Sequence, residues 1–326
     1  MQKSLVTGGS GFIALHVVKG LLEKGDLVNT TVRSLKNLSK CKPLLDMQQT
    51  YPGRLKLFEA DLIKDGSFLQ AMEGCEVVYH VASPFLVPQQ TKNGLKECVE
   101  PALQVAAMYG DSWDILKMKD KTLSEDYWNT TSTATYSPYS YSKLVAEREA
   151  REIKDAQERW DLVVINPGLV LGPSLTSESV SGSLFMLDAM YKGDNRSGVP
   201  ELHYPVADVR DVAEAHIRAG KSPSAKGRYI IASDRSICLL DMANYVRGIH
   251  HNPELLPARN LPKLLVFAAG PFIGLPMKWV SRNIGIGISY KVNNSKSITE
   301  LGLSYRPAEQ LLKDHYLSWR NQHAGK

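Results

Sequence analysis

The sequence predicts an α/β fold: a doubly wound parallel sheet of the Rossmann type with a smaller C-terminal lobe. Three observations lead to this prediction. Strand-like and helix-like runs alternate through the first 80 residues, a glycine-rich turn directly follows the first strand, and another strand–helix–strand pattern spans residues 201–232. Alternating strands and helices build parallel sheets with right-handed crossovers, and ligands bind at the carboxyl ends of the strands.

The 326 residues, 43% of them hydrophobic, are enough for one large core or two modest ones. We expect a nucleotide-binding domain over residues 1–170, to which residues 205–235 return. Residues 171–204 and 236–326 then form the substrate-binding lobe. The Ser- and Gly-rich stretch at residues 172–198 suits a loop over an active site.

A glycine-rich turn separates the first strand from the first helix. Gly8 and Gly11 let the backbone turn tightly and approach a pyrophosphate, which would lie against the free N–H groups of the helix N-terminus. The spacing alone is weak evidence, but its place between a strand and an amphipathic helix supports it. The alternative is an ordinary strand-to-helix turn. The residues predicted to contact the cofactor here are Thr7, Gly8, Gly9, Ser10, Gly11, Phe12 and Ile13.

The second strand ends at Arg33, about twenty residues past the glycines, where an NAD-preferring enzyme places an acid on the ribose 2′-hydroxyl. Arg33, with Lys36 and Lys40 close behind, instead offers cations suited to a 2′-phosphate. The sequence therefore predicts NADP(H) as the cofactor. The alternative is a solvated basic loop.

The ends of the third and fourth strands should border the same cofactor. Asp61 follows the third strand, where its carboxylate can reach the adenine, and residues 80–83 end the fourth strand. We expect His80 to be a packed residue rather than a catalyst. The contacts predicted here are Asp61, Leu62, Val81, Ala82 and Ser83.

A helix is predicted to begin with Ser137 as N-cap and Pro138 at its first position, and Glu147 is expected on its solvated side. Tyr139 and Lys143 are four residues apart and therefore lie on one face of this helix. A nearby ammonium is expected to lower the pKa of the Tyr139 phenol and make it usable for proton transfer, while Lys143 also holds a ribose hydroxyl. About one such pair is expected by chance, so the evidence lies in its place after a nucleotide-binding unit and before a strand.

Composition excludes several other classes of protein. A net charge of +5 with scattered basic residues lacks the clustered stripe typical of nucleic-acid binding. The four cysteines are isolated, which indicates reduced thiols in the cytoplasm and no metal site. The apolar stretch at residues 261–280 is interrupted by three prolines, so we expect no membrane span, and the first apolar run is the nucleotide-binding strand rather than a signal peptide. The oligomeric state is not predicted.

Almost the whole chain resembles the extended short-chain dehydrogenases/reductases, in the branch with dihydroflavonol reductases, cinnamoyl-CoA reductases and fungal carbonyl reductases. The resemblance implies NADPH-dependent reduction of a ketone or aldehyde, with Tyr139 as proton donor and Lys143 on the nicotinamide ribose. It also implies that Arg33 and Lys40 hold the 2′-phosphate. It places Pro167, Gly168 and Val170 beside the nicotinamide. The motifs that carry it are residues 7–14, 61–62 and 81–84, Tyr139 with Lys143, and residues 166–168, 208–213 and 301–307.

One departure from the family is a missing fifth strand between residues 81 and 139. In the family this strand ends at a Ser that hydrogen-bonds the substrate carbonyl, whereas Gln104 stands at that place here. A block of about twenty residues, a helix end plus a strand, is absent. Losing one such donor typically costs ten-squared to ten-cubed in rate. Ser112 and Ser132 are the candidate substitutes.

Three functions therefore stay open on sequence alone. The first is an NADPH-dependent carbonyl reductase or alcohol dehydrogenase. The second is a 3β-hydroxysteroid dehydrogenase or a nucleotide-sugar epimerase, of which the epimerase would keep its NAD tightly bound. The third is a nucleotide-binding protein with impaired catalysis, which the missing strand and Ser favour.

Overall fold

The computed structural model describes residues 1–82, 108–177, 181–269 and 287–323. Ser83 and Gln104 lie outside these residues, so the structure does not bear on them.

The N-terminal half is a four-stranded parallel sheet in the order β3-β2-β1-β4. Apolar side chains of α1 pack onto the sheet and form one continuous core with residues of α7, such as Ile217. The sheet confirms the doubly wound arrangement of this half. Its elements are β1 (Lys3–Val6), α1 (Phe12–Glu23), β2 (Leu27–Val32), α2 (Leu38–Thr50), β3 (Leu55–Glu59), α3 (Leu69–Met72) and β4 (Val77–Tyr79), and α7 is Val209–Lys221.

The second half contains shorter sheets. Strands β6 and β9 form a parallel pair, β7 and β10 flank β8, and β5 pairs with β11. The elements up to β9 are α4 (Ser112–Lys117), β5 (Thr122–Leu123), α5 (Pro138–Asp155), β6 (Val163–Pro167), β7 (Leu169–Leu171), α6 (Gly182–Lys192), β8 (His203–Asp208) and β9 (Gly227–Ile231). After β9 follow β10 (Ser236–Cys238), α8 (Leu239–Arg247), α9 (Lys263–Ala269), β11 (Lys291–Val292), α10 (Ser295–Leu301) and α11 (Ala308–His323).

The two halves of the parallel sheet are not joined by a strand in the described residues. Within them β4 pairs only with β1 and β6 only with β9. Helix α7 contacts both β4 and β6, so the two strands lie under one helix without a shared partner. Val78, in the middle of β4, is 42% exposed although an interior strand of such a sheet is normally covered. This agrees with the predicted loss of a strand.

A second core joins α6, α8 and α11 to the three-stranded sheet around the fully buried Tyr191. The described part of the C-terminal lobe is built on this core. Strand β8 begins at His203, so the domain boundary predicted at residue 205 falls inside a strand. The division into two domains stays a prediction.

Among the described residues, none of the helices combines the length and the apolar character needed to cross a bilayer. The predicted apolar stretch ends beyond residue 269, outside the described part of the chain.

Candidate active site

Thr7 ties the ends of β1 and β4 together. Its hydroxyl accepts hydrogen bonds from the backbone N–H groups of Val81 (3.1 Å) and Ala82 (3.0 Å). Gly8 follows with a φ of +68°, and its N–H donates to the Thr31 hydroxyl at 3.1 Å. The positive φ favours glycine and turns the chain sharply off the strand. The structure therefore brings Thr7, Val81 and Ala82 together at the carboxyl edge of the sheet, as predicted.

The glycine-rich turn leaves room for a ligand at the start of α1. A Cβ at Gly9 would lie 2.0 Å from the Thr30 hydroxyl, so no side chain fits there. Gly11 is the N-cap, and no side chain caps the free N–H groups of the first turn, where Phe12 and Ile13 follow. Ser10 lies half-buried in the same turn. Uncapped N–H groups with the positive end of the helix dipole suit a pyrophosphate. The residues present thus fit a dinucleotide.

Arg33 follows β2 directly and is exposed. Within the described residues no side chain pairs with Arg33, Lys36 or Lys40. Lys40 lies in the first turn of α2, which the sequence analysis did not identify because the helix carries Pro43 and few apolar residues. The nearby carboxylate of Glu59 accepts from a backbone N–H at 2.7 Å. The side chains of Arg33, Lys36 and Lys40 are therefore available to bind a 2′-phosphate.

Asp61 and Leu62 are half-buried just beyond β3, which is separated from β4 by two strands. The Asp61 carboxylate accepts from the backbone N–H of Ile63 at 3.2 Å, a local turn that fixes its position. His80 lies at the end of β4 with Nδ1 3.2 Å from the Thr7 hydroxyl. The His80 side chain is exposed at the surface, so the prediction of a packed ring is not confirmed. Partial loss of water around the ring lowers the pKa of His80, which keeps it neutral at physiological pH.

Helix α5 begins at Pro138 with Ser137 as its N-cap residue, as predicted. Ser137 has a φ of +55°, and its side chain does not bond to a backbone N–H of the first turn. Its hydroxyl instead donates to that of Ser140 at 3.1 Å. The N-cap position is therefore confirmed, although the Ser137 side chain makes no capping hydrogen bond.

Tyr139 and Lys143 lie together, with the Lys143 ammonium 4.8 Å from the centroid of the Tyr139 ring. Burial raises the pKa of Tyr139 to about 12, opposite to the predicted direction. The physical reason is the loss of water around the buried phenol, which disfavours its ionised form. Tyr139 is therefore protonated at neutral pH, while Lys143 is almost fully buried.

Glu147 is buried rather than solvated, so that prediction is wrong. Its carboxylate lies 2.8 Å from Nε of Arg228 on β9 and 3.0 Å from Arg151. The Arg228 guanidinium also stacks over the ring of Trp128, with its central carbon 4.1 Å from the ring centroid. A buried charge is tolerated only when paired, and here the pair fastens α5 to the β6–β9 sheet. A charged residue in a helix gives no sequence signal for such a partner.

Pro167 ends β6, and the Gly168 N–H donates to the carbonyl of Ile231 at 3.0 Å. A Cβ at Gly168 would lie 2.2 Å from the carbonyl oxygen of Pro205, so only glycine fits. Val170, on β7, is buried. Pro167, Gly168 and Val170, which are predicted to lie beside the nicotinamide, therefore occupy the connection from β6 in the parallel pair to β7 in the three-stranded sheet.

The two candidate substitutes for the missing Ser differ. Ser132 is buried, and its hydroxyl accepts from the side-chain amide of Asn129 at 2.9 Å. Ser112 begins α4.

Three tyrosines were not identified from the sequence: Tyr109, Tyr204 and Tyr290. The fold brings their hydroxyls together from three distant segments. No local pattern marks such a cluster.

Comparison with known proteins identifies the family. Residues 102–232 match the NAD dependent epimerase/dehydratase family, and residues 5–98 match GDP-mannose 4,6 dehydratase. Tetraketide alpha-pyrone reductase 2 of Arabidopsis thaliana is 35% identical over 72% of this chain and 78% of its own length. Cinnamoyl-CoA reductase 1 of the same plant is 32% identical over 95% of this chain and 86% of its own. Gre2 from Candida albicans, solved in complex with NADPH, has a TM-score of 0.78 at 26% identity and covers 99% of this chain and 100% of its own.

The chain belongs to the NAD-dependent epimerase/dehydratase family, in the branch of reductases similar to dihydroflavonol and cinnamoyl-CoA reductases. The Rossmann-type fold, the oxidoreductase class and NADP(H) as cofactor are confirmed. The steroid dehydrogenase and epimerase alternatives are not favoured, because the similar curated proteins are reductases.

The alignment with the tetraketide reductase also bears on the predicted loss of a segment. It extends over 255 positions but covers 72% of the 326 residues, which is about 235. About 20 of the 255 aligned positions thus have no counterpart in this chain. That shortfall matches the size of the block that the sequence analysis finds absent.

Proposed function

We propose that this chain reduces a ketone or aldehyde with NADPH, using Tyr139 as the proton donor. The observation that carries the proposal is the pairing of a protonated Tyr139 with the buried Lys143 at the start of α5. The named relatives act on compounds with a carbonyl group, a pyrone and a cinnamoyl thioester, which supports a small-molecule carbonyl substrate.

The cofactor would be held by the glycine-rich turn and the basic residues after β2. The free N–H groups at the start of α1 would bind the pyrophosphate, while Arg33 and Lys40 would bind the 2′-phosphate. NADPH, when bound, supplies the hydride. The remaining contacts would come from residues at the strand ends and beyond β6: Asp61, Leu62, Val81, Ala82, Ser83, Pro167, Gly168 and Val170.

Tyr139 would donate its proton to the carbonyl oxygen as negative charge develops there. A pKa of about 12 keeps the phenol protonated until the substrate oxygen becomes the stronger base. The Lys143 ammonium would then stabilise the tyrosinate that remains, since an opposite charge nearby favours the ionised form. Its second role would be to hold the nicotinamide ribose.

The cellular setting is a separate part of the proposal. The described cysteines Cys41, Cys75 and Cys238 are all free, which fits a reducing compartment such as the cytoplasm. We further propose that the chain does not bind nucleic acid, because its positive charges are scattered.

The experiment that tests this function compares Tyr139→Phe with Tyr141→Phe, a tyrosine on the same helix without a lysine four residues on. NADPH oxidation with benzaldehyde is followed by the loss of nicotinamide absorbance. We expect Tyr139→Phe to lose at least ten-cubed in turnover because the proton donor is gone, with NADPH affinity within a few-fold. Tyr141→Phe should keep most of its activity. A Tyr139→Phe variant with undiminished turnover would contradict the proposal.

A further inference from the structure

Three tyrosines outside the Tyr139 pair form what we call the phenol cluster: Tyr109, Tyr204 on β8 and Tyr290 just before β11. The Tyr290 hydroxyl donates to the Tyr109 hydroxyl at 2.9 Å, and the two rings meet edge to face with centroids 5.8 Å apart. Tyr204 is close enough to Tyr109 for the two phenols to influence each other's ionisation. Residues more than eighty positions apart therefore bring three hydroxyls to one place.

One side of the phenol cluster adjoins the segment proposed to lie beside the nicotinamide. Tyr204 directly precedes Pro205, whose carbonyl oxygen fills the space where Gly168 would carry a side chain. Tyr290 packs in one small core with Ala232, whose Cβ is 3.2 Å from that same Cβ position of Gly168. The cluster thus lies one layer of residues away from the carboxyl end of β6.

The other side adjoins the approach to Tyr139. Gly110, next to Tyr109, contacts Ser132 so closely that a Cβ on it would lie 2.2 Å from the serine hydroxyl. Asp111 accepts a hydrogen bond from the Tyr136 hydroxyl at 2.9 Å, three residues before Tyr139. Tyr109 therefore lies between the segment that leads into the Tyr139 helix and the segment after β6.

Among the described residues, not every hydroxyl of the phenol cluster uses its capacity to donate a hydrogen bond. Each phenol has one hydrogen to donate, and that of Tyr290 is used. In the described part of the chain, the hydroxyl hydrogen of Tyr109 has no acceptor and the Tyr204 hydroxyl has no partner. Burial raises the pKa of all three phenols, so they remain neutral donors at physiological pH. A half-buried donor without an acceptor costs free energy that a ligand oxygen would recover.

We propose that Tyr109 is the second hydrogen-bond donor to the substrate carbonyl oxygen, in place of the Ser that the chain lacks, with Tyr290 as the residue that orients it. This inference rests on the proposed carbonyl reduction. The hydride adds to the carbonyl carbon, and the Tyr139 proton transfers to the oxygen. The Tyr109 hydrogen stays on its phenol and stabilises the developing alkoxide, as a preorganised neutral donor does.

The test uses Tyr109→Phe, Tyr290→Phe and the double variant, with Tyr245→Phe in the small-lobe core as the matched control. Removal of one alkoxide donor should lower kcat for benzaldehyde by about ten-squared to ten-cubed. The NADPH dissociation constant should not change, and the melting temperature should fall only by the few degrees that the loss of one hydrogen bond causes. Because Tyr290 acts through Tyr109, Tyr290→Phe should reduce kcat in the native background and have no effect in the Tyr109→Phe background.

A second readout does not depend on turnover. Calorimetric titration of acetophenone into the complex with NADP⁺ should show at least tenfold weaker binding for Tyr109→Phe than for Tyr245→Phe. Turnover and acetophenone binding that match the control would overturn the role of Tyr109 while leaving Tyr139 in place. A native chain that binds no NADPH, or that binds NADPH but reduces no carbonyl, would instead contradict the proposed function itself, and the role of Tyr109 would fall with it.

Discussion

The cofactor half and the catalytic half of this molecule differ in how completely their sheets are built. In the first half, β3, β2, β1 and β4 form an unbroken parallel ladder under one core. In the second, β6 has only β9 beside it among the described strands. The residues predicted to bind the pyrophosphate and the 2′-phosphate lie at the complete sheet, whereas those predicted beside the nicotinamide, with Tyr139 and Lys143, belong to the incomplete half.

This difference separates two requirements of a reductase. Binding a dinucleotide needs a turn, a helix N-terminus and a few cations, all within the first 60 residues. Transfer of a proton to the substrate needs groups from several segments held within fractions of an ångström. Cofactor affinity can therefore survive a lost strand better than catalysis can, and each prediction below acts on one half.

The largest expected effect comes from restoring the missing strand. We expect insertion of a helix end, a strand and a terminal Ser between Leu103 and Val105 to give β4 and β6 a shared partner. Each buried ladder group left unpaired costs about 1–3 kcal/mol, so filling both edges should raise the melting temperature on the order of 10 °C or more. Thermal unfolding followed by circular dichroism measures the change.

A flexible Gly/Ser insert of equal length at the same point is the control, and it should not raise the melting temperature. Equal melting temperatures for the strand insert and the Gly/Ser insert would show that the catalytic half does not lack a strand at this place.

The next effect concerns the ion pair that fastens the catalytic helix to its sheet. Glu147→Gln removes the carboxylate that pairs directly with the buried Arg228 guanidinium, and breaking a buried pair typically costs about 3–5 kcal/mol. Urea unfolding should show this loss, whereas Glu149→Gln, an exposed neighbour on the same helix, should stay within about 0.5 kcal/mol. A loss no larger than that of Glu149→Gln would mean that the pair does not hold the catalytic half together.

The sequence predicted the cofactor half well because its signals are local. The third strand ends just before Asp61, as predicted, and the glycine turn and Arg33 also lie where the alternating pattern puts them. Such patterns report burial and turn geometry directly. The exception is α2, whose Pro43 and weak amphipathic pattern conceal a 13-residue helix.

The catalytic half was predicted less well because its features depend on distant partners. The sequence pattern predicts Glu147 as a surface residue, because its partner Arg228 lies far away in the sequence, on β9. The raised pKa of Tyr139 results from burial, which no local pattern predicts. The phenol cluster likewise joins residues 109, 204 and 290, which have nothing in common along the chain. The spacing of Tyr139 and Lys143 was informative because a helix converts it into proximity.

The smallest effect returns to the cofactor half and tests whether its cations select the cofactor. Arg33 is exposed and follows β2 at the place where an acid would select NAD. A charge-assisted bond to the 2′-phosphate contributes about 1.5–3 kcal/mol, so NADPH should bind about ten- to a hundredfold more tightly than NADH. Arg33→Ala should remove most of that difference. Arg159→Ala, which changes an exposed arginine in the loop after α5, should leave it unchanged. Fluorescence titration of both cofactors gives the four dissociation constants needed for each comparison.

Equal affinities for NADPH and NADH in the native chain would refute the role of Arg33. A loss of selectivity in Arg159→Ala would show that net charge, rather than the position of the arginine, determines the preference for NADPH.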